Sequence, residues 1–198
     1  MKRGVILDRD GTLIDVVRDE ETGVITTAFH PKQLRLLPGV VEGLGLLRDA
    51  GYVLAIATNQ PGPAKGQITA ASVEATNTAL AELLAREGVT VAKVAVCMHH
   101  PDGGPGGDPA LVGPCACRKP KPGMLRDLAR DLDLDLARSW MVGDTTSDVE
   151  AGRAAGARTA LLFDTKRCEL CPLREGTTAK PDLHAATFLA LARQIVDA

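Results

Sequence analysis

The feature that most constrains the fold is a series of short aliphatic runs, each stopping at a polar residue and separated by longer segments of helical period. Gly4–Leu7, Val53–Ala57, Val94–Met98, Trp140–Val142 and Arg158–Phe163 read as buried strands. Val40–Ala50, Thr69–Glu87, Met124–Leu132, Val149–Ala155 and Phe188–Val196 read as helices, several with Pro-Gly before them or Gly just after. Strands that are apolar throughout and alternate with helices belong to an α/β parallel sheet covered by helices on both faces. An antiparallel α+β fold would show hairpin turns and period-two strands, and neither is visible. Parallel sheets bind ligands beyond the carboxyl ends of their strands. Asp8, Thr58, Cys97 and Asp144 all fall at or just past such ends.

Chemistry gathers at those ends. In Leu7-Asp8-Arg9-Asp10-Gly11-Thr12 two carboxylates stand two residues apart and face one space. Two such anions about 4 Å apart repel by ~4 kcal/mol at an effective dielectric near 20, so a cation or a raised pKa is expected there. The pair divides into Asp8 as nucleophile toward phosphorus and Asp10 as general acid and base. Thr58 and Asn59, with Gln60, offer a hydroxyl and amides that hold phosphate oxygens without adding charge. Arg118-Lys119-Pro120-Lys121-Pro122 supplies cations whose direction is limited by two prolines. A pentacovalent phosphorus needs such a fixed positive charge. Asp144 closes the Trp140–Val142 strand and is a Mg²⁺ ligand candidate, while Thr145 to Asp148 suit a helix cap.

Taken in this order, nucleophile, hydroxyl, cation and metal-binding acid resemble the haloacid dehalogenase (HAD) superfamily of phosphatases, over roughly residues 4–163. The resemblance implies a Rossmann-like core. It implies Asp8 as nucleophile and Mg²⁺ ligand, and Asp10 as acid and base with its backbone carbonyl on the metal. Thr58 and Lys119 are then phosphate ligands and Asp144 a Mg²⁺ ligand.

The chain has 198 residues, enough for a single domain, 1–198, with one elaborated loop and a C-terminal tail, 164–198. That loop, Pro101–Pro114, is rich in Gly and Pro and has too few apolar residues to fold itself. Cys97-Met98-His99 and Cys115-Ala116-Cys117 flank it, and two such pairs can close a Cys₃His zinc tetrahedron with no open position. Zinc in small modules contributes ~10–16 kcal/mol of apparent binding energy. His100 is expected to point away from this cluster. Cys168 and Cys171 read as a pair of reduced thiols in the tail. Cys-Met-His-His-Pro and Cys-Ala-Cys-Arg-Lys-Pro resemble the zinc-loop branch of the superfamily, which holds heptose 1,7-bisphosphate 7-phosphatases and histidinol-phosphate phosphatases. The branch implies Zn²⁺ on Cys97, His99, Cys115 and Cys117, phosphate contacts from Arg118 and Lys119, and no large cap domain. Two positions depart from its pattern: Ile14, where Asn is common, and Thr145, where Lys or Ser is common.

A formal net charge of −2 argues against nucleic acid or an anionic membrane as partner. The N-terminal apolar run Val5-Ile6-Leu7 is too short for a signal core or a membrane span, so a cytoplasmic monomer is expected. The expected partner is a small phosphorylated substrate. A sugar bisphosphate fits best, because Lys65 and Arg118 exceed the charge that one phosphate needs. A receiver-like phospho-acceptor would place its acceptor on a later strand and lack an acid two residues beyond it. A zinc-dependent interaction module would leave Asp8, Asp10 and Asp144 without a purpose.

Overall fold

The computed structural model describes residues 1–18, 21, 25–163 and 180–198. Among these, six parallel strands form one sheet: β1 (Gly4–Leu7), β4 (Val53–Asn59), β5 (Lys93–Cys97), β6 (Trp140–Gly143), β7 (Arg158–Leu162) and β8 (Leu183–Ala185). Their spatial order is β5-β4-β1-β6-β7-β8. In chain order of the sheet strands this is 3-2-1-4-5-6, the doubly wound Rossmann arrangement. The winding direction reverses between β1 and β6, which opens a crevice at their carboxyl ends.

The four inner strands are buried on both faces, and alternation within them assigns each side chain to a layer. Val5 and Leu7 of β1, Leu54 and Ile56 of β4, and Trp140 and Val142 of β6 share one core. That core also holds Leu44 and Leu47 of α1 (Val40–Asp49), Leu80 and Leu84 of α2 (Ala70–Arg86), and Phe188 and Leu191 of α5 (Phe188–Asp197). Ile6, Ala55, Ala57 and Met141 point the other way, onto Leu125 and Leu128 of α3 (Gly123–Leu132) and Ala151 of α4 (Thr146–Ala155). Helices therefore cover both faces. With few aromatic rings available, aliphatic side chains fill most of both layers.

Three expectations shift. β4 runs on to Asn59, so Thr58 and Asn59 are strand residues rather than residues just past the strand. α4 starts at Thr146, three residues early, because Thr145 and Asp148 close a capping box around its first turn. Two elements carried no periodic signal: the edge strand β8, and a two-residue antiparallel ribbon of β2 (Val17–Arg18) with β3 (Ile25–Thr26). Arms this short cannot show alternation. Residues 164–179, which include Cys168 and Cys171, lie outside the described residues, as do Asp19 and Glu20.

Between Leu13 and Pro38 the described chain holds the β2–β3 ribbon and a single 3-10 turn, Pro31–Gln33, and no large cap. Residues 101–114 lie on the segment after β4. Asp108 donates its amide to the Pro63 carbonyl at 3.0 Å, and a Cβ on Gly107 would stand 1.9 Å from the Ala64 carbonyl oxygen. No helix among the described residues is long and apolar enough to cross a membrane.

Candidate active site

At the β1/β6 crevice, Asp8 follows β1 and donates its amide to Val142 of β6 at 2.8 Å, so the adjacent strands fix it. Asp144 follows β6. Between them the chain leaves β1 through Gly11, whose φ of +78° is open to glycine and strained for other residues. A Cβ at Gly11 would lie 2.1 Å from Asp144 Oδ2, so glycine is also what lets the two strand ends approach.

Lys119 is buried at the centre. Its Nζ stands 2.7 Å from Asp8 Oδ1 and 2.6 Å from Asp148 Oδ1. Its backbone is clasped by Asn59, which accepts from the Lys119 amide and donates to the Lys119 carbonyl, both at 3.1 Å. Asn59 thus reaches the site through Lys119, its amide already occupied there. Asp148, read from sequence as a helix cap, serves both ends: its Oδ2 accepts from Thr145 Oγ1 at 2.6 Å while Oδ1 pairs with the lysine. The capping signal was visible in the sequence; the ion pair depends on a residue 29 positions away and was not.

Ligand atoms of Asp8, Asp144 and Asp148 lie within 4.8 Å of one another. One lysine cannot balance three carboxylates held this close together. Burial lifts Asp8 to about 7 against the pull of Lys119, with Asp148 and Asp10 adding to the rise. Burial, then Asp8 and Asp148, hold Asp144 well above the usual carboxylate range. For Lys119, burial opposes the charge, but Asp148 and Asp8 outweigh it and raise the pKa. Asp144 Oδ1 is buried with no hydrogen-bond partner among the described residues. A hard divalent cation beside Asp8 and Asp144 would satisfy that oxygen and relieve the repulsion. The donor set fits Mg²⁺.

The sign of a pH effect follows. Both acids have folded pKa values above the ordinary 3.8. The cation-free fold therefore carries no penalty below that value, and a growing one as pH rises through the window to about 7 for Asp8. Unfolding temperatures in EDTA should fall across this window, and Mg²⁺ should flatten the dependence. A parallel decline with and without Mg²⁺ would contradict it.

The Asp10 carboxylate is held by Arg9, Thr27 and Gln60. Gln60 Nε2 donates to Asp10 Oδ2 at 2.6 Å and to Thr58 Oγ1 at 2.9 Å, which links the general-acid candidate to the phosphate-binding hydroxyl. Thr27 Oγ1 donates to Asp10 Oδ1 at 2.5 Å. Thr27 follows β3 in a loop without sequence signal, and its part in the site was not legible. Of the two departures, Ile14 is fully buried in the core, while Thr145 is exposed and donates to Asp148.

Cys97, His99, Cys115 and Cys117 converge at the start of the Gly/Pro-rich loop. His99 Nδ1 lies 3.8 Å from Cys97 Sγ and 3.5 Å from Cys117 Sγ, and Cys97 and Cys115 sulfurs are 3.8 Å apart. A tetrahedron with ~2.3 Å metal–sulfur bonds has edges of about 3.7 Å, so these three spacings suit a closed metal site. The Cys97–Cys117 edge is tighter, at 2.9 Å. His100 is turned away and accepts the Asp102 amide at 3.2 Å. The cluster touches the crevice through Arg118, which donates to the His99 carbonyl at 3.2 Å and precedes Lys119. Burial, then the nearby charges of Lys65 and Arg118, hold His100 below its ordinary pKa.

Known proteins resemble this chain in sequence and in fold. A profile of the HAD-hydrolase-like family matches residues 116–190. D-glycero-β-D-manno-heptose-1,7-bisphosphate 7-phosphatase of Pseudomonas aeruginosa is 37% identical over 189 residues, 94% of this chain and 97% of that protein. The D-glycero-D-manno-heptose-1,7-bisphosphate 7-phosphatase of Thermosynechococcus vestitus is 41% identical over 161 residues, 80% of this chain and 77% of its own length. Among solved structures, the D,D-heptose 1,7-bisphosphate phosphatase of B. bronchiseptica, complexed with magnesium and phosphate, superposes with a TM-score of 0.76. It shows 31% identity over 98% of both chains.

Proposed function

The chain belongs to the HAD-like phosphatase family that includes these heptose-bisphosphate 7-phosphatases, and from that we propose that it removes the 7-phosphate of a D-glycero-D-manno-heptose 1,7-bisphosphate through an aspartyl-phosphate on Asp8. The observation that carries the chemistry is Lys119, buried between Asp8 and Asp148 at the strand-switch crevice beside the unpartnered Asp144 oxygen. Mg²⁺ held by Asp8, Asp144 and the Asp10 carbonyl would supply the charge that lets a phosphoryl group approach these acids.

Asp8 attacks phosphorus as its carboxylate, and Lys119 balances the charge that grows on the phosphoryl oxygens. The bond from phosphorus to the sugar oxygen breaks as Asp10 gives that oxygen its proton. Asp10, now a carboxylate, takes a proton from the water that attacks the acyl-phosphate. Inorganic phosphate leaves, and Asp8 is restored. Thr58 Oγ1 is the neutral phosphate ligand and Gln60 keeps it in register with Asp10. Lys65 and Arg118 are the basic group that we assign to the second phosphate of a bisphosphate, since they exceed the charge that one phosphate needs.

Cys97, His99, Cys115 and Cys117 would hold Zn²⁺, which fixes the loop and, through Arg118, the approach to Lys119. EDTA should abolish activity and Mg²⁺ restore it, while elemental analysis should still find about one zinc per chain, since thiolates favour zinc over hard cations. Zinc-free protein after growth with zinc would remove this assignment.

Specificity constants test the substrate. We expect the heptose 1,7-bisphosphate to exceed the heptose 7-monophosphate and histidinol phosphate by at least about tenfold, the worth of a single charge-assisted contact. Equal turnover of either competitor would contradict the role given to the basic group.

A further inference from the structure

Arg9, between the two aspartates, is fully buried, and the chemistry described so far gives it no task. Buried guanidinium groups are costly unless every donor is engaged. Here the donors are shared among Asp10, Asn77, Thr27 and Ala28, and Asp10 takes two of them. Nε donates to Asp10 Oδ2 at 3.1 Å and Nη2 to Asp10 Oδ1 at 3.2 Å, a fork onto both oxygens. Nη1 donates to Asn77 Oδ1 of α2 at 2.6 Å, and Nη2 also reaches Thr27 Oγ1 at 2.6 Å and the Ala28 carbonyl at 3.3 Å. Asn77 is itself buried, so the guanidinium is fixed from a helix of the scaffold.

Resting on Asp10 as general acid and base, we infer that Arg9, braced by Asn77, is a positioning residue that fixes the plane of the Asp10 carboxylate toward the leaving oxygen. The fork leaves Asp10 little freedom to rotate. An ammonium in its place would keep the charge and lose the plane. Proton transfer needs hydrogen-bond reach to the leaving oxygen, so a loosened Asp10 loses efficiency where the leaving group depends most on a proton. A sugar alkoxide is such a group; p-nitrophenolate leaves without one. A residue that only stabilised the fold would affect both substrates alike.

The experiment compares kcat/KM, which reports phosphoryl transfer to Asp8, for heptose 1,7-bisphosphate and p-nitrophenyl phosphate. It is run on Asp10→Asn, Asn77→Ala and Arg9→Lys, each checked for its unfolding transition. Asp10→Asn should lose at least about a hundredfold on the sugar phosphate and far less on the aryl phosphate. Asn77→Ala and Arg9→Lys should show the same selectivity at about tenfold or more, and Arg9→Lys does so with its charge retained. If Asp10→Asn is selective but the other two lose both substrates equally, or neither, the positioning role is wrong. If Asp10→Asn itself shows no selectivity, the assignment of Asp10 fails, and the inference with it. Should Asn77→Ala not fold, Arg9→Lys carries the comparison.

Discussion

Asp8→Asn should abolish turnover, by ~10⁴-fold or more, which is about 5.5 kcal/mol of barrier, while leaving the protein folded. The amide has the shape of the carboxylate but not its nucleophilicity. Asp8 is held to about 7 chiefly by burial, so its charge costs the cation-free fold, and the neutral amide should leave the unfolding temperature unchanged or raise it. Loss of activity with retained or improved stability is the signature of a nucleophile in a crowded anionic site. A variant that kept more than about a hundredth of the rate would have lost under ~3 kcal/mol, too little for that role.

Lys119→Met should be damaging in both respects. The side-chain volume is preserved, so the consequence is electrostatic. Asp8 and Asp148 lose the ammonium that stands 2.7 Å and 2.6 Å from them, and three carboxylates remain in one buried space. Breaking a buried ion pair from one side costs ~3–5 kcal/mol, because the abandoned charge stays buried. We therefore expect a clear fall in unfolding temperature in EDTA, partial recovery with Mg²⁺, and turnover reduced by several orders of magnitude in either condition. Lowering the pH should also recover stability, since protonating Asp8 or Asp144 relieves the same repulsion. A Lys119→Met protein as stable as the parent at neutral pH without Mg²⁺ would show that the lysine does not balance these acids.

The division between what the sequence disclosed and what it did not follows from range. Strands buried on both sides have no alternation to disguise them, so Gly4–Leu7 and Trp140–Gly143 stand out, and the residues closing them were legible as a site. Asp8, Asp10, Lys119 and Asp144 each follow a local signal: a strand that stops, a glycine that turns, a proline that stiffens. The second row of contacts is not local. Asp148 reads as a cap until Lys119 lies against it, and Arg9 carries no signal until Asn77, 68 residues on, and Thr27 surround it. Asn59 reads as a phosphate ligand, but it clasps Lys119 from 60 residues away. β8 and the β2–β3 ribbon failed for a different reason, since two or three residues are too few to establish a period.

The covalent step on Asp8 can be observed directly. Asp10→Asn protein, mixed with p-nitrophenyl phosphate, should complete the first transfer, which needs no proton, and stall before the second, which needs a base to activate water. After acid quench and peptide mapping, one phosphoryl group per chain should be found on Asp8, matched by a single-turnover burst of nitrophenolate. Steady nitrophenolate release with no covalent phosphoryl group, or a phosphoryl group on any other residue, would contradict catalysis through Asp8.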